Sequence, residues 1–522
     1  MRHRSETSIV SAPYLDIFLA ALGGGLVGLA FPKFVGLWPL AWVGLAPLLL
    51  ALRHATPRRG LLLGAVAGIF EFSLVIYWIA YVTTTYGGMS LPAGVGVAAL
   101  LVLYLAMYSA LFGLGLAYAS RCGLPQWVVA PPLWVGLEYL RGILLTGFPW
   151  AELGASQYTW NGFVQAADLG GVALLSFVVV LVNAALVAAW AEEKTSRGVV
   201  AGLAALAALS LTLTYGHFRL GHIEAAAAAA PKLAVVAVQG NIDQGVKWSD
   251  GFQGKSVEIY RKLTEKAAAS HPDLIVWPET ALPFYFLLED RFTPKVMEGL
   301  KGLPSYVLLG SPAYDFDADD ICYYNRAYLL APGGQPTAKY DKVHLVPYGE
   351  YVPLKSYMPF LGKAVRAVGN FQAGRPGCCL SLGGPRPARV GVLICFESIF
   401  ADLAREAVGG GATILAVITN DAWFGGTSAP YQHFSMSVLR AVETRRAVVR
   451  AANTGISGLI GPDGRVLAAT RLQERTYVRG VVPLMTIKTV YTKIGDAFAW
   501  LCLAVSGGLG VFWGAVREGK KS

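Results

Sequence analysis

Seven long apolar runs crowd the first 220 residues of this chain, and an eighth closes it. They lie at about 15–31, 34–52, 60–81, 91–119, 127–145, 170–190, 199–215 and 497–516. Each comes near the ~20 residues a helix needs to cross a hydrocarbon core. This predicts a polytopic α-helical membrane bundle of about eight spans. With 55% hydrophobic and only 15% charged residues, an ordinary soluble chain is excluded. The first run is followed by another almost at once, without a small-residue cleavage site and polar mature region, and so reads as a retained anchor.

Basic residues orient the bundle. Arg2 and Arg4, then Arg53, Arg58 and Arg59, then Arg121, then Lys194 and Arg197, then Arg517, Lys520 and Lys521 fall in alternate loops. The positive-inside rule makes those loops and both termini cytoplasmic. Seven spans then put the middle of the chain on the periplasmic side. The net charge of +10 suits anionic lipid headgroups. No basic stripe interleaved with aromatics points to nucleic acid. Inside the bundle, Glu138 and Arg141 are spaced to pair on one helix face, with Glu71 a further buried carboxylate.

The expected division is a seven-helix membrane domain over 1–220, a catalytic domain over 233–489 and a last helix over 497–516. An alanine-rich stretch, 225–230, reads as the linker between the first two. Near-continuous apolar strands at 233–238, 274–276, 306–309, 328–330, 390–394, 414–417 and 458–460 alternate with helices at about 254–269 and 432–449. That alternation predicts an α/β domain with helix-covered sheets.

Three of its apolar runs end in reactive side chains. Val390-Gly391-Val392-Leu393-Ile394 runs into Cys395-Phe396-Glu397-Ser398, and Leu274-Ile275-Val276 into Trp277-Pro278-Glu279-Thr280. Tyr340-Asp341-Lys342-Val343-His344-Leu345-Val346-Pro347-Tyr348-Gly349-Glu350 supplies a lysine and a further carboxylate. A carboxylate, an ammonium and a thiol suit acyl chemistry: base, oxyanion partner and nucleophile. A helix starting at 399–405 would favour thiolate at Cys395, and apolar surroundings would raise the proton affinity of Glu279. Singly, each residue has a plainer reading: Cys395 as a packing residue, Glu279 as a helix cap, His344 as a hydrogen-bonded structural residue. Glu397 reads equally as a support of the site or an ion-pair partner.

Six cysteines (Cys122, Cys322, Cys378, Cys379, Cys395, Cys502) show neither zinc spacing nor disulfide density. No metal and no organic cofactor is called for. The loops at 281–288, 351–354, 357–361 and 420–426 are unusually apolar, as a lipid-using enzyme at a membrane surface needs. Phe284, Tyr285, Tyr351, Trp423 and Phe424 in these loops are expected to bind substrate, together with Glu397.

In this order, the three motifs resemble the nitrilase superfamily, and more narrowly its membrane-bound branch, the apolipoprotein N-acyltransferases. Thr146-Gly147-Phe148-Pro149-Trp150 and Tyr86-Gly87-Gly88-Met89 resemble segments of that family too. The resemblance implies an α-β-β-α sandwich, with Glu279 as general base, Lys342 as oxyanion stabiliser, Cys395 as nucleophile and Glu350 as a supporting carboxylate. Trp248 matches a segment near the acyl site. The implied reaction is transfer of a fatty acyl chain from a phospholipid to the α-amine of a diacylglyceryl apolipoprotein, through a thioester, in a bacterial cytoplasmic (inner) membrane. The nearer rival is a membrane-tethered amidase or nitrilase using water as acceptor. The farther one is a transporter or scaffold carrying an inactive domain.

Overall fold

The structure, a computed structural model, describes residues 13–32, 37–191, 195–289, 291–317, 320–351, 370–377 and 379–518. The loop segment 357–361, Cys378, and the basic residues of the N-terminal head and C-terminal tail named above as Arg2, Arg4, Lys520 and Lys521 lie outside them, as does Lys194.

The N-terminal region is helical. It contains α1 (Pro13–Leu29), α2 (Ala41–Gly44), α3 (Ala46–Leu52), α4 (Pro57–Val75), α5 (Trp78–Thr85), α6 (Leu91–Arg121) and α7 (Gln126–Ile143). After the short α8 (Asn161–Val164) come α9 (Ala167–Ala191) and α10 (Thr195–Ala229). Among the described residues four helices are long and apolar enough to cross a membrane, and a fifth if α4 and α5, bent by 52°, count together. Three shorter apolar segments coincide with the remaining expected spans, at Tyr14–Leu29, Trp38–Leu52 and Ala497–Gly508. With no hydrophobic force between helices in lipid, small residues let backbones touch. Gly60 and Gly64 on α4 do this against α6: a Cβ on Gly64 would sit 2.1 Å from the Ser109 carbonyl oxygen.

Two expectations about this region fail. Glu138 and Arg141 do not pair. Glu138 Oε1 accepts from the Leu153 N–H at 2.7 Å, and Arg141 Nη2 donates to the Ala151 carbonyl at 3.3 Å. Both instead bind buried backbone in the segment that follows α7. The alanine stretch 225–230 is not a loose linker, because α10 runs unbroken through Ala229 and the first strand begins at Lys232. Alanine has the highest helix propensity of any residue, and that decides the stretch.

The second domain holds two six-stranded sheets, β12-β1-β2-β3-β4-β5 and β11-β10-β9-β8-β7-β6. In the first, β1 (Lys232–Gln239), β2 (Leu274–Val276) and β3 (Tyr306–Asp317) are parallel, and β4 (Asp320–Leu330), β5 (Pro336–Asp341) and β12 (Thr476–Pro483) join antiparallel. The second repeats the pattern. There β7 (Ala388–Ile394), β8 (Ile414–Thr419) and β9 (Ala447–Ala452) are parallel, flanked by antiparallel β6 (Cys379–Leu382), β10 (Gly458–Ile460) and β11 (Val466–Ala469).

Val235, Val276 and Leu308 of one sheet share a core with Val392, Ile394 and Ile418 of the other. Outside the first sheet lie α11 (Gln244–Lys247), α12 (Asp250–Ala268) and α13 (Thr293–Leu300), of which α12 and α13 share an apolar cluster with the strands. Outside the second pack α14 (Ala401–Gly409) and α15 (Ala429–Thr444). The result is an α-β-β-α sandwich. The helix expected over 432–449 stops at Thr444, where Arg445 takes a left-handed φ of 52°, and Val449 belongs to β9 instead.

Buried polar contacts fix the sandwich to the bundle. Arg445, wholly buried, meets Asp168 of α9 at 2.9 Å and Gln165 Oε1 at 2.6 Å. Asp168 also accepts from Arg219 and Tyr215 of α10, at 2.7 and 2.6 Å. Trp150 Nε1 donates to Gln432 Oε1 on α15 at 2.7 Å. The chain ends with α16 (Val490–Ile494) and α17 (Ala497–Glu518).

Candidate active site

Chain ends of parallel strands are where open α/β sheets gather ligands and chemistry. Here β2 leads to Glu279, β5 to Lys342, β7 to Cys395 and β8 to Asn420. Glu279 and Lys342 are buried; Cys395 keeps part of its surface open.

The Glu279 carboxylate is held at both oxygens. Oε1 accepts from Asn325 Nδ2 at 2.8 Å and from Lys342 Nζ at 3.5 Å, while Oε2 accepts from the Asn420 N–H at 2.8 Å. Lys342 Nζ is also 2.9 Å from Glu350, and Asn325 Nδ2 donates to Glu350 at 2.9 Å. Glu350 in turn accepts from the Val346 N–H at 2.8 Å. Asn325 therefore bridges the two carboxylates. Burial by itself would lower the Lys342 pKa, but Glu350, then Glu279, then Cys395 outweigh it and hold the ammonium protonated well above its ordinary range.

Cys395 sits at φ 55°. A non-glycine residue there is strained, and such strain persists only where the surroundings impose it. The sharp turn from β7 into the helical turn Cys395–Ile399 requires it. Two groups pin the Cys395 carbonyl: Ser398 Oγ donates to it at 2.9 Å and His433 Nε2 is 3.1 Å away, the two lying 2.8 Å from each other. His433 Nδ1 lies 2.9 Å from Asp421 Oδ1, and Asp421 Oδ2 meets Arg450 at 2.9 Å.

The helix dipole does not set the thiol. Helix α14 begins at Ala401, six residues on, and the surrounding protein pushes the Cys395 pKa up, followed by the Glu279 charge; Lys342 opposes them without prevailing. Burial therefore favours the thiol form of Cys395, against the thiolate the sequence suggested.

Glu397 is wholly buried beneath this turn. Its carboxylate accepts from the N–H groups of Ile394 (2.6 Å), Val343 (2.5 Å) and His344 (3.1 Å) and from Tyr340 Oη (3.1 Å). It thus ties the lysine segment to the cysteine turn. Burial pushes its pKa up to about 7, against the backbone donors and Lys342. His344 stacks on Phe400 with ring centroids 3.8 Å apart.

The expected substrate-binding residues are dispersed. Phe284 is enclosed with Phe292, centroids 5.4 Å apart, in the core under α12. Tyr285 is half-buried against Tyr314 and Tyr323. Tyr351 lies beyond Glu350, its carbonyl accepting from the Tyr348 N–H. Trp423 is 38% exposed and meets Tyr86 edge-on at 5.4 Å, so the bundle loop reaches the site rim. Phe424 packs on Trp78 of α5 at 4.9 Å. Trp248, at the end of α11, is 48% exposed. Among the described residues no cluster of His, Cys, Asp or Glu could hold a metal ion, and Cys122, Cys322, Cys395 and Cys502 are free thiols.

Sequence reasoning missed Asn325 and the network of Asp421, His433 and Arg450, and did not single out Lys247. Asn325 stands in mid-strand with no reactive neighbour in sequence. The motif Asn420-Asp421 at the end of β8 was the one available sign, since it repeats the pattern of polar residues at strand ends.

Residues 23–185 match the family model described as the apolipoprotein N-acyltransferase N-terminal domain, and 232–491 match that of carbon-nitrogen hydrolases. Proteins named apolipoprotein N-acyltransferase are similar along almost the whole chain. The one from Geobacter metallireducens is 42% identical, covering 94% of each chain. Those from Methylococcus capsulatus and Gloeobacter violaceus are 32% and 34% identical, covering 94% of this chain and 94% and 92% of theirs. Among solved structures, the C. elegans NitFhit protein is 18% identical with a TM-score of 0.38, covering 52% of this chain and 65% of that one. An amidase from Nesterenkonia sp. is 15% identical with a TM-score of 0.36, covering 50% and 94%.

Proposed function

The chain belongs to the apolipoprotein N-acyltransferase family, and from that premise we propose that it moves a fatty acyl chain from a membrane phospholipid to the α-amine of the diacylglyceryl cysteine that begins an apolipoprotein. The observation that carries the chemistry is the hydrogen-bonded group of Glu279, Lys342, Asn325 and Glu350 within electrostatic reach of a strained Cys395.

In the first half-reaction Glu279 takes the Cys395 thiol proton as sulfur attacks the ester carbonyl. A thiol whose pKa is raised needs such a base. The oxyanion of the tetrahedral intermediate forms beside Lys342, whose protonated state Glu350 secures. Collapse expels the lysophospholipid alkoxide, which receives the proton from Glu279, and leaves an acyl thioester on Cys395. In the second half the acceptor amine attacks the thioester. Glu279 carries the proton from nitrogen to the departing sulfur, and the amide is released. No metal or organic cofactor enters this scheme.

The finer architecture is part of the same reading. Eight spans result if the three shorter apolar segments cross with some bilayer adjustment, giving a seven-helix domain over 1–220, a catalytic domain over 233–489 and a last helix over 497–516. Alternating basic loops favour both termini in the cytoplasm and the catalytic domain on the periplasmic face of the inner membrane. Trp248, Tyr285, Tyr351, Trp423 and Phe424 remain the proposed surroundings of the lipid substrates, with Glu397 supporting the site from beneath and Phe284 packing in the core behind it.

Purified protein incubated with phospholipid alone tests the proposal by intact mass. A gain of one fatty acyl chain is expected, removable by neutral hydroxylamine and absent from Cys395→Ala. Glu279→Gln and Lys342→Met are expected to acquire it about 10²–10³-fold more slowly. A diacylglyceryl-cysteine peptide with a free α-amine then discharges it as N-acylated product. Steady release of free fatty acid without an amine would return the amidase-like hydrolase reading.

A further inference from the structure

Lys247 ends α11, next to the exposed Trp248, yet it has no exposed surface at all. Its Nζ forms no hydrogen bond. A buried, unpaired ammonium is costly, and a lysine so placed sheds its proton instead. The short helix is fastened to the catalytic group. Gln244 Oε1, one turn before Lys247, accepts from Asn420 Nδ2 at 2.7 Å, and the Asn420 N–H is the donor that holds Glu279 Oε2. Glu279 is the charged group that acts on the Lys247 amine; burial nonetheless dominates and lowers its pKa to about 7.

The second half-reaction has a proton to place that the first does not. An α-amino group titrates near pH 8 and arrives mostly as ammonium. It must lose one proton before it can attack, and a second as the C–N bond forms. Glu279 handles the second, passing it to sulfur, and cannot hold both.

We propose that Lys247 is the second proton-holding group of the site, accepting the proton that the apolipoprotein α-ammonium sheds before attack. The inference rests on the acyltransfer reading above. The balance is simple. The ammonium and the neutral Lys247 amine become a neutral α-amine and a Lys247 ammonium; that amine and the thioester become amide and Cys395 thiol, with Glu279 ferrying the remaining proton. The Lys247 proton passes to solvent as product leaves. Its Nζ has no hydrogen bond to give up, and its four-carbon stem can turn toward the incoming group once that group displaces the side chains enclosing it.

The test separates the half-reactions. Wild type, Lys247→Met and Lys247→Gln are charged with phospholipid, freed of excess lipid, and discharged with a diacylglyceryl-cysteine peptide at a series of pH values. Methionine removes a buried unpaired polar group, so the fold is expected to tolerate it. Near pH 7 discharge should slow at least about tenfold more than thioester formation does. The defect should shrink to less than about threefold once the pH exceeds the α-amine pKa. Hydroxylamine, neutral at pH 7, should discharge wild type and variants alike. Equal discharge by the peptide at every pH, a defect that does not change with pH, or an equal defect toward hydroxylamine would each overturn the role of Lys247. Failure of wild type to form a thioester would overturn the acyltransfer reading instead.

Discussion

The Lys342 ammonium lies nearer to Glu350, at 2.9 Å, than to Glu279, at 3.5 Å. Glu350, not the proposed base Glu279, is its closer counter-charge. Glu350→Gln removes that charge and leaves burial less opposed, so the Lys342 pKa should fall. Thioester formation is expected to drop about 10²-fold, and its basic limb should move to lower pH. Rates of mass gain measured across pH check both effects.

The thiol makes a prediction of opposite signs. Glu279 raises the Cys395 pKa and Lys342 lowers it. Alkylation by iodoacetamide near neutral pH should therefore be slower than for a free thiol, faster in Glu279→Gln and slower in Lys342→Met. Both variants nevertheless lose acylation. Labelling followed by peptide mass mapping measures this at Cys395 alone.

Glu397 accepts four hydrogen bonds that glutamine cannot reproduce, because an amide offers one acceptor oxygen and turns two donors toward other donors. Glu397→Gln should destabilise the fold by about 2–3 kcal/mol and slow thioester formation through a displaced Cys395 turn. The native pKa is raised from the ordinary 4.5 to about 7. The folded state thus binds the extra proton, and this contribution to stability is full below about 4.5 and lost as pH rises through about 7. Melting curves of the variant should lack that part of the slope between those values.

Asp168 sits between Arg445 of the sandwich and Arg219 of the long helix. Asp168→Ala leaves a buried guanidinium uncompensated, which costs about 3–5 kcal/mol. A lower melting temperature and easier proteolysis between 220 and 233 should follow, while the thioester still forms on the intact fraction.

Much of this site could be read before any coordinates. Glu279 and Cys395 each follow a run of apolar residues, and the apolar run of a buried strand is a local signal; Lys342 follows the polar strand Pro336–Asp341 and was legible only from its motif. The apolar helices of the N-terminal region were legible from their apolar runs in the same way. Asn325 and Gln244 carry no such signal, because their partners lie tens to hundreds of residues away, and Asn420 carries only its place at the end of β8. Lys247 could not be distinguished from a solvated lysine, since only the fold shows that water does not reach it. The alanine stretch 225–230 failed differently: composition read as a spacer, but helix propensity continued α10 through it. Edge strands such as Val466–Ala469, half exposed and short, have too little apolar pattern to be found.

That continuous helix has a geometric consequence. At 35 residues, α10 is about 52 Å long, well beyond a hydrocarbon core of about 30 Å, and only two residues separate it from β1. The alanine run therefore sets an angle as well as a height. Removing one alanine turns everything beyond it by about 100° and lowers it by about 1.5 Å, while the Arg445–Asp168 contact holds the sandwich where it was. Deleting two residues sets these demands nearly opposed; deleting four brings the helix close to its original phase. Tolerance of deletions here should rise and fall with the helical repeat, not decline steadily with the number removed.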